Sequence, residues 1–252
     1  MADLNLIFNR RPILITGPCT YESKNQFTAV ASQLPNLNIN FIRGGAYKPR
    51  TSPESFQGYG LDGLKAMYKI AKRFKLYLVS EIMDSESLKL AHPYVDVIQV
   101  GSRNMSSFGL LKKIGKLTSK SQKPILLKRG FSSTLKELIS ASKYIEKEGN
   151  NNIIFCLRGI RTFEQIDSSF RNTPDLASII ELKEMTKYPV IFDPSHSAGN
   201  SRYVIPISRA ALTIGSDGLI IECHPKPSKA KSDNNQQLTI AQLKDLLNSI
   251  NY

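Results

Sequence analysis

Ionisable side chains recur at, or just after, the ends of eight short apolar runs in the sequence. Four of them are arginine or lysine, and the others are a cysteine, a histidine and two glutamates. Guanidinium groups bind phosphate and carboxylate groups in a bidentate manner, and an ammonium group adds a mobile point charge. Such side chains in one pocket would bind a small molecule that carries both anionic groups. In chain order they are Cys19, Arg43, Glu81, Arg103, Lys128, Arg158, His196 and Glu222.

Four side chains could together bind a metal ion, namely Cys19, His196, Glu222 and Asp233. One thiolate, one imidazole and two carboxylates suit a divalent first-row transition ion better than magnesium or calcium. The spacing is weak evidence, because no CxxC or HExxH motif occurs, and a cysteine such as Cys19, taken alone, is more often a buried apolar residue than a ligand. The set predicts one bound ion of manganese, iron, cobalt or zinc, and its identity stays open.

The stretch from Gly44 to Gly60, GGAYKPRTSPESFQGYG, is long for a loop between a strand and a helix. Loops of more than about 12–15 residues without secondary structure are usually functional or disordered. Its glycines permit close approach of the backbone, and its cations and hydroxyl groups could hold a phosphate group. We therefore expect a phosphate-binding loop, with a merely solvated loop as the alternative. The residues concerned are Lys48, Pro49, Arg50, Thr51 and Ser52.

The apolar runs predict buried parallel strands. Their starts are separated by roughly 20 to 37 residues, which leaves room for a crossover helix after each strand. This alternation favours a (β/α)8 TIM barrel, with a doubly wound open sheet as the alternative, because strand order cannot be read from sequence. In a barrel the carboxyl ends of all strands share one face, where the ionisable residues would meet. The predicted strands are Ile13–Thr16, Asn40–Arg43, Leu76–Glu81, Val95–Val100, Pro124–Lys128, Ile153–Leu157, Pro189–Phe192 and Gly218–Glu222.

Amphipathic patterns between the runs predict the outer helices. The last of these helices is predicted from Thr239 to Ile250, with Thr239 and Gln242 spaced as a capping box. No linker rich in proline, glycine or serine interrupts the chain. Residues 1–252 are therefore expected to form a single catalytic domain, of which residues 1–11 are a short N-terminal extension.

The composition argues against nucleic-acid-binding, membrane-spanning and disulfide-rich classes of protein. A net charge of +13 favours anionic ligands, but the lysines are scattered along helical patterns and tryptophan is absent, which argues against nucleic-acid binding. No apolar run reaches the length of about 18 residues that predicts a membrane span, and the N-terminus lacks the features of a signal peptide. Three cysteines argue against a disulfide framework. We expect a cytoplasmic protein that binds small phosphorylated substrates and neither nucleic acid nor a membrane.

The sequence resembles 3-deoxy-D-arabino-heptulosonate 7-phosphate (DAHP) synthase, specifically the compact type I-beta branch of that family. The resemblance covers nearly the whole chain, and its motifs are long enough to be specific. It implies a (β/α)8 barrel that condenses phosphoenolpyruvate with erythrose 4-phosphate and water to give DAHP and phosphate, the first step of the shikimate pathway to aromatic amino acids. The matching stretches are GPCTYES, RGGAYKPRTSPESFQG, SEIMD, QVGSRNM, ILLKRG, LRGIRTFE, DPSHSAG and IIECHPKPSKAKSD.

The resemblance also implies a role for each candidate residue. The metal ligands would be Cys19, His196, Glu222 and Asp233. Phosphoenolpyruvate would be held by Arg43, Glu81, Arg103, Lys128 and Arg158, and the aldose by Lys48, Pro49, Arg50, Thr51 and Ser52. The candidate catalytic residues are Lys48, Cys19 and His196, and we hypothesise that Lys48 protonates the aldehyde oxygen. Two departures from the family pattern, at Thr20–Tyr21 and at Leu157, touch none of these residues.

Three other functions stay open at this point. The first is 3-deoxy-D-manno-octulosonate 8-phosphate synthase, which shares fold and chemistry, uses arabinose 5-phosphate, and carries an Asn-Arg-Ser version of the KPRTS loop. The second is a Schiff-base aldolase with Lys128 as nucleophile, and the third is a barrel that binds RNA through its charge. Because the family is commonly oligomeric, we expect a homodimer or homotetramer. With no appended regulatory domain, we expect no inhibition by aromatic end products.

Overall fold

Eight parallel strands form a closed barrel in which each strand pairs with its neighbours in the sequence and β8 pairs with β1. The computed structural model describes residues 12–48, 54, 56–164, 166, 170, 172–250 and 252. The TIM barrel predicted from the apolar runs is confirmed, and the open sheet is excluded. The strands are β1 (Ile13–Gly17), β2 (Phe41–Arg43), β3 (Tyr77–Glu81), β4 (Val97–Val100), β5 (Ile125–Lys128), β6 (Ile153–Leu157), β7 (Val190–Phe192) and β8 (Gly218–Glu222).

Helices follow the strands and cover the outside of the barrel. The last helix begins after Thr239, whose hydroxyl accepts from the backbone of Gln242 while the Gln242 side chain accepts from the backbone of Thr239, as the predicted capping box requires. Among the described residues, no helix has both the length and the apolar character needed to cross a membrane. The helices are α1 (Lys24–Ala31), α2 (Gly60–Arg73), α3 (Ser85–Ala91), α4 (Phe108–Thr118), α5 (Leu135–Glu146), α6 (Ala177–Met185), α7 (Pro194–Ala198), α8 (Ser201–Thr213) and α9 (Ile240–Ser249).

Two apolar layers hold the barrel together. Alternate strand residues such as Ile13, Ile15 and Ile220 fill the interior, while Leu14 and Ile42 belong to the larger layer between the strands and the helices. Parallel strands that are buried on both faces need nearly continuous apolar runs, which is why these runs could be found in the sequence. The interior of the barrel is filled by these side chains and, among the described residues, forms no channel. The polar residues at the carboxyl ends of the strands therefore share one open face of the barrel, which we call the mouth.

Candidate active site

The mouth at the carboxyl ends of the strands forms one pocket. Strands β2, β3 and β5 end in Arg43, Glu81 and Lys128, and Arg158 directly follows β6. Arg103 lies on the short 3-10 turn after β4 and is exposed at the rim. The predicted residues that line the pocket are Cys19, Arg43, Lys48, Glu81, Arg103, Lys128, Arg158 and His196. Four others, Pro49, Arg50, Thr51 and Ser52, lie outside the described residues.

Arg43 is buried on the side of the pocket formed by β1 and β8. Its Nη1 donates to Glu222 Oε1 at 2.6 Å, and its Nη2 donates to the carbonyl oxygen of Cys19 at 3.2 Å. Its Nε is buried and has no hydrogen-bond partner among the described residues. Since buried polar groups in proteins are normally paired, Arg43 has a donor left for a bound acceptor.

Phe131 forms an aromatic platform for three cations that come from the loops after β4 and β6. The guanidinium carbons of Arg103, Arg158 and Arg161 lie 5.4, 4.7 and 5.0 Å from the centre of its ring. Each of these distances is within the range of a cation–π interaction, which offsets part of the repulsion between the three charges. The Nη2 atom of Arg158 also donates to the His196 carbonyl oxygen at 3.1 Å. The platform therefore keeps positive charge close together at the entrance.

Asp193, the residue after β7, connects Lys128 and His196. Its carboxylate accepts from the backbone N–H of His196 at 2.9 Å and lies 2.8 Å from His196 Nδ1, and it forms a short ion pair with Lys128 Nζ. Burial opposes ionisation of Asp193, but His196 and Lys128 hold its pKa well below the ordinary value. Burial also lowers the pKa of His196 to about 4, against the effect of Asp193. The neutral imidazole thus donates from Nδ1 to Asp193 and keeps a lone pair on Nε2.

Three of the four predicted metal ligands form a compact group. The ligand atoms of Cys19, Glu222 and Asp233 all lie within 4.8 Å of one another. His196 stands beside this group, with Nε2 at 3.5 Å from Glu222 Oε1. The sequence therefore places a sulfur, a nitrogen and carboxylate oxygens next to each other, which is the donor chemistry expected for a transition ion.

Lys48 reaches the same group from the loop after β2. Its Nζ donates to Cys19 Sγ and to Asp233 Oδ2, each at 2.8 Å. Burial lowers the pKa of Lys48, but Cys19, Asp233 and Glu222 outweigh burial and raise it overall. Burial raises the pKa of the Cys19 thiol to about 12, with Glu222 adding to the effect. At neutral pH the protein alone therefore holds a protonated lysine beside a protonated thiol.

Glu81 projects into the pocket from the end of β3. Gln99 Nε2 donates to Glu81 Oε2 at 3.1 Å. A Cβ atom on Gly101 would lie 2.0 Å from Glu81 Oε1, so a larger residue at position 101 would displace the carboxylate. The glycine after β4 is therefore what allows Glu81 to stand between the strand ends.

Several side chains that support the site were not among the predicted site residues. Phe131 is one of them, and Asp193 is another that was given no role as a ligand, although its position directly after a predicted strand indicates a negative charge at the same rim. Gln236 Nε2 donates to Glu222 Oε2 at 2.6 Å, and Gln237 Oε1 accepts from the Cys19 backbone at 3.0 Å. The tandem glutamines carry no chemical motif, so only the structure reveals that they hold candidate ligands.

Comparisons with known proteins show which family the chain belongs to. The profile of the DAHP synthetase I family matches residues 8–251. A phospho-2-dehydro-3-deoxyheptonate aldolase of Thermotoga maritima is 43% identical over 93% of this chain and 67% of its own length. The crystal structure of a DAHP synthase from Thermotoga maritima superposes with a TM-score of 0.89 at 42% identity, covering 94% of this chain and 68% of that one.

A second kind of relative is more distant. A 2-dehydro-3-deoxyphosphooctonate aldolase of Fusobacterium nucleatum is 29% identical over 96% of this chain and 91% of its own length. The family model matches nearly all of the chain, and the identity to the Thermotoga protein, 43%, is higher than the identity to the Fusobacterium protein. The chain belongs to the DAHP synthetase I family.

Proposed function

We propose that this chain is a DAHP synthase, a transferase that joins phosphoenolpyruvate to erythrose 4-phosphate. One observation supports this most strongly: five cations line a single pocket beside the ligand group of Cys19, Glu222 and Asp233. The five cations are Arg43, Lys48, Arg103, Lys128 and Arg158. The family of the chain and the name of its 43% identical relative point to the same reaction.

The cations suit phosphoenolpyruvate because this substrate carries a phosphate and a carboxylate on three carbon atoms. Arg43 has a buried Nε without a partner among the described residues, and it lines the same pocket as Arg103 and Arg158 on the Phe131 platform. The phosphate and the carboxylate of one small molecule could each accept hydrogen bonds from part of this set of cations. Fixed guanidinium groups would also stabilise the charge of the departing phosphate without reorganising.

The donor set fits a divalent transition ion. Cys19, Glu222 and Asp233 would hold it together with His196, whose lone pair on Nε2 faces Glu222. Asp233 and Glu222 supply the negative charge that offsets the ion, and Asp193 fixes the imidazole, as carboxylates commonly do for metal-binding histidines. A bound ion would act as a Lewis acid on the aldehyde oxygen of the sugar.

The chain's own residues can carry the proton transfers of the condensation. The C2=C3 electron pair of phosphoenolpyruvate forms a bond from C3 to C1 of erythrose 4-phosphate, the C=O π bond of the aldehyde breaks, and Lys48 donates a proton from Nζ to the aldehyde oxygen. Water then adds to C2 and gives up a proton that restores the Lys48 ammonium. The bond between C2 and its phosphate oxygen breaks, the C2 hydroxyl passes its proton to the leaving phosphate, and C2 becomes the ketone carbon. Lys48 is the candidate donor for the first step because its ammonium is protonated at neutral pH and its Nζ lies in the pocket beside Cys19 Sγ and Asp233 Oδ2, with 15% of its side chain exposed.

The choice of sugar tests the proposed function directly. Phosphate release should be measured from phosphoenolpyruvate with manganese and either erythrose 4-phosphate or arabinose 5-phosphate. We expect kcat/KM to be at least about tenfold higher with the four-carbon sugar, because one extra sugar carbon must fit a pocket of fixed size. A preference for arabinose 5-phosphate would assign the chain to the octulosonate reaction. If neither sugar gave phosphate release, both the proposed DAHP synthase reaction and the octulosonate reaction would be contradicted.

Replacement of Lys48 with methionine tests its role as the acid. We expect kcat to fall by about 100- to 10,000-fold, the usual contribution of a positioned acid, while the KM for phosphoenolpyruvate changes little. Steady-state kinetics with both substrates give the two constants separately. A near-normal kcat with a raised KM for the sugar would make Lys48 a binding residue and not the proton donor.

A further inference from the structure

The loops that follow β1 and β8 lie side by side, although they are far apart in the sequence. Cys19 stands in the first loop and Asp233 in the second, and Cys19 Sγ donates to Asp233 Oδ2 at 3.3 Å. Neither loop is part of the strand ladder that joins β1 to β8, which ends with Gly17 and Glu222. Something other than strand pairing must therefore fix the distance between thiol and carboxylate.

Three buried side chains bridge the two loops, and we call them the β1–β8 latch: Thr20, Ser232 and Gln237. Thr20 Oγ1 and Ser232 Oγ share a hydrogen bond of 2.8 Å. Gln237 accepts from the Cys19 backbone N–H at 3.0 Å and donates to the Ser232 carbonyl oxygen at 2.9 Å. Thr20, Ser232 and Gln237 are 0%, 3% and 1% exposed, so water does not compete for these bonds.

The latch acts on the residues next to the candidate ligands. Thr20 follows Cys19 and Ser232 precedes Asp233, so the shared hydrogen bond ties the backbone of one ligand to that of the other. Asp233 has a φ of 46°, in the left-handed region that non-glycine residues seldom adopt. A conformation of this kind persists only where the surroundings hold it. Ser232, anchored on both its side chain and its carbonyl group, provides that support.

We propose that the β1–β8 latch positions Cys19 against Asp233 and thereby sets the affinity of the site for a divalent transition ion. This inference rests on the proposed function, because it assumes that the two residues are metal ligands. Thr20, Ser232 and Gln237 are positioning residues in this account, since none of them belongs to the ligand group. Residues that orient metal ligands typically change metal affinity by 10- to 100-fold when they are replaced.

The test is a titration of the purified full-length chain with cobalt(II). Coordination of a thiolate to cobalt produces a charge-transfer absorption, which reports on Cys19 independently of catalysis. We expect Thr20→Val, which keeps the shape and removes the hydroxyl group, to weaken cobalt binding about tenfold. Ser232→Ala should also weaken cobalt binding about tenfold. The double variant should bind cobalt no more weakly than either single variant, because each of the three loses the same hydrogen bond between Thr20 and Ser232. Thr20→Ser keeps the hydroxyl group and should bind within about twofold of the unaltered chain.

Thr118→Val is the matched control. The Thr118 hydroxyl is also fully buried and hydrogen-bonded, donating to the Ile114 carbonyl oxygen at 2.7 Å and accepting from Asn150 Nδ2 at 2.6 Å, but it lies in α4. Its loss should lower stability without changing the cobalt affinity. Equal cobalt binding by Thr20→Val and the unaltered chain would overturn the latch, as would equal weakening in Thr118→Val. If Thr20→Val does not fold, Ser232→Ala and Thr20→Ser decide by the same criteria.

The same titration separates this inference from the proposed function. An unaltered chain that binds no cobalt and gives no charge-transfer band would remove Cys19 from the metal site, and the proposed function would fail with it. Tight binding with a clear band, unchanged by Thr20→Val and Ser232→Ala, would leave the metal site in place and overturn the latch alone.

Discussion

Replacement of Cys19 with serine is expected to lower turnover by about 1000-fold or more. Serine is close in size and can keep the contacts with Lys48 and Asp233, so the fold should survive. A neutral hydroxyl is a far poorer ligand than a thiolate for a transition ion. Loss of a Lewis acid removes several kcal/mol of transition-state stabilisation, and each 1.36 kcal/mol corresponds to about a tenfold change in rate.

The measurement combines phosphate release with the metal content of the purified protein. Cys156→Ser is the matched control, because Cys156 is also fully buried but belongs to the apolar interior of the barrel. The control should keep its metal and its manganese-dependent turnover. If Cys19→Ser kept both within about tenfold, Cys19 would be a core residue and the thiolate would have no part in the reaction.

Replacement of Asp193 with asparagine should have the second-largest effect. Asparagine keeps one carbonyl oxygen but loses the charge that pairs with Lys128 and orients His196. Breaking a buried ion pair by removing one partner costs about 3–5 kcal/mol of stability. We expect a loss of this size in the free energy of unfolding, together with a fall in turnover of about 100-fold as the imidazole loses its orientation. Denaturant melts and steady-state kinetics measure the two effects separately.

A double variant, Asp193→Leu with Lys128→Met, distinguishes the two roles of Asp193. Removing both charges from a buried pair is often neutral or stabilising, so much of the lost stability should return. Turnover should stay low, since neither the cation nor the orienting carboxylate is restored. Recovery of turnover along with stability would mean that Asp193 serves the fold and does not position the site. Asp175→Asn is a milder comparison, because Asp175 pairs with Arg129 away from the pocket and is partly exposed.

The barrel could be predicted from the sequence because its physical requirement is local. Parallel strands buried on two faces need short continuous apolar runs, and the run Ile153–Leu157 is a strand with the same bounds in the structure. The predicted start at Val95 was two residues early, since the paired register with β3 begins with Val97 opposite Val79, and just before it the Asp96 side chain accepts from the Leu78 backbone N–H. The strand propensity of a residue does not indicate whether its side chain will accept a hydrogen bond from the backbone of a neighbouring strand.

The network around the candidate ligands could not be predicted, because its partners are far apart in the sequence. Cys19 and Gln237 meet across 218 residues, and their contact depends on how the barrel closes. The sequence reveals that ionisable residues stand at strand ends, but not that Asp193 binds both Lys128 and His196. It likewise gives no reason to single out Phe131, whose importance depends on three arginines that reach it from the ends of two strands, β4 and β6.

The pairing of β1 with β8 has a consequence for the order in which this molecule becomes functional. Cys19 follows the first strand of the barrel, while Glu222 and Asp233 come from the eighth strand and the loop beyond it. The proposed ion site therefore spans the junction at which the eighth strand closes the barrel. The three candidate ligands come together only when β8 pairs with β1, so an ion bound there would stabilise the closed barrel over chains in which this pairing has not formed.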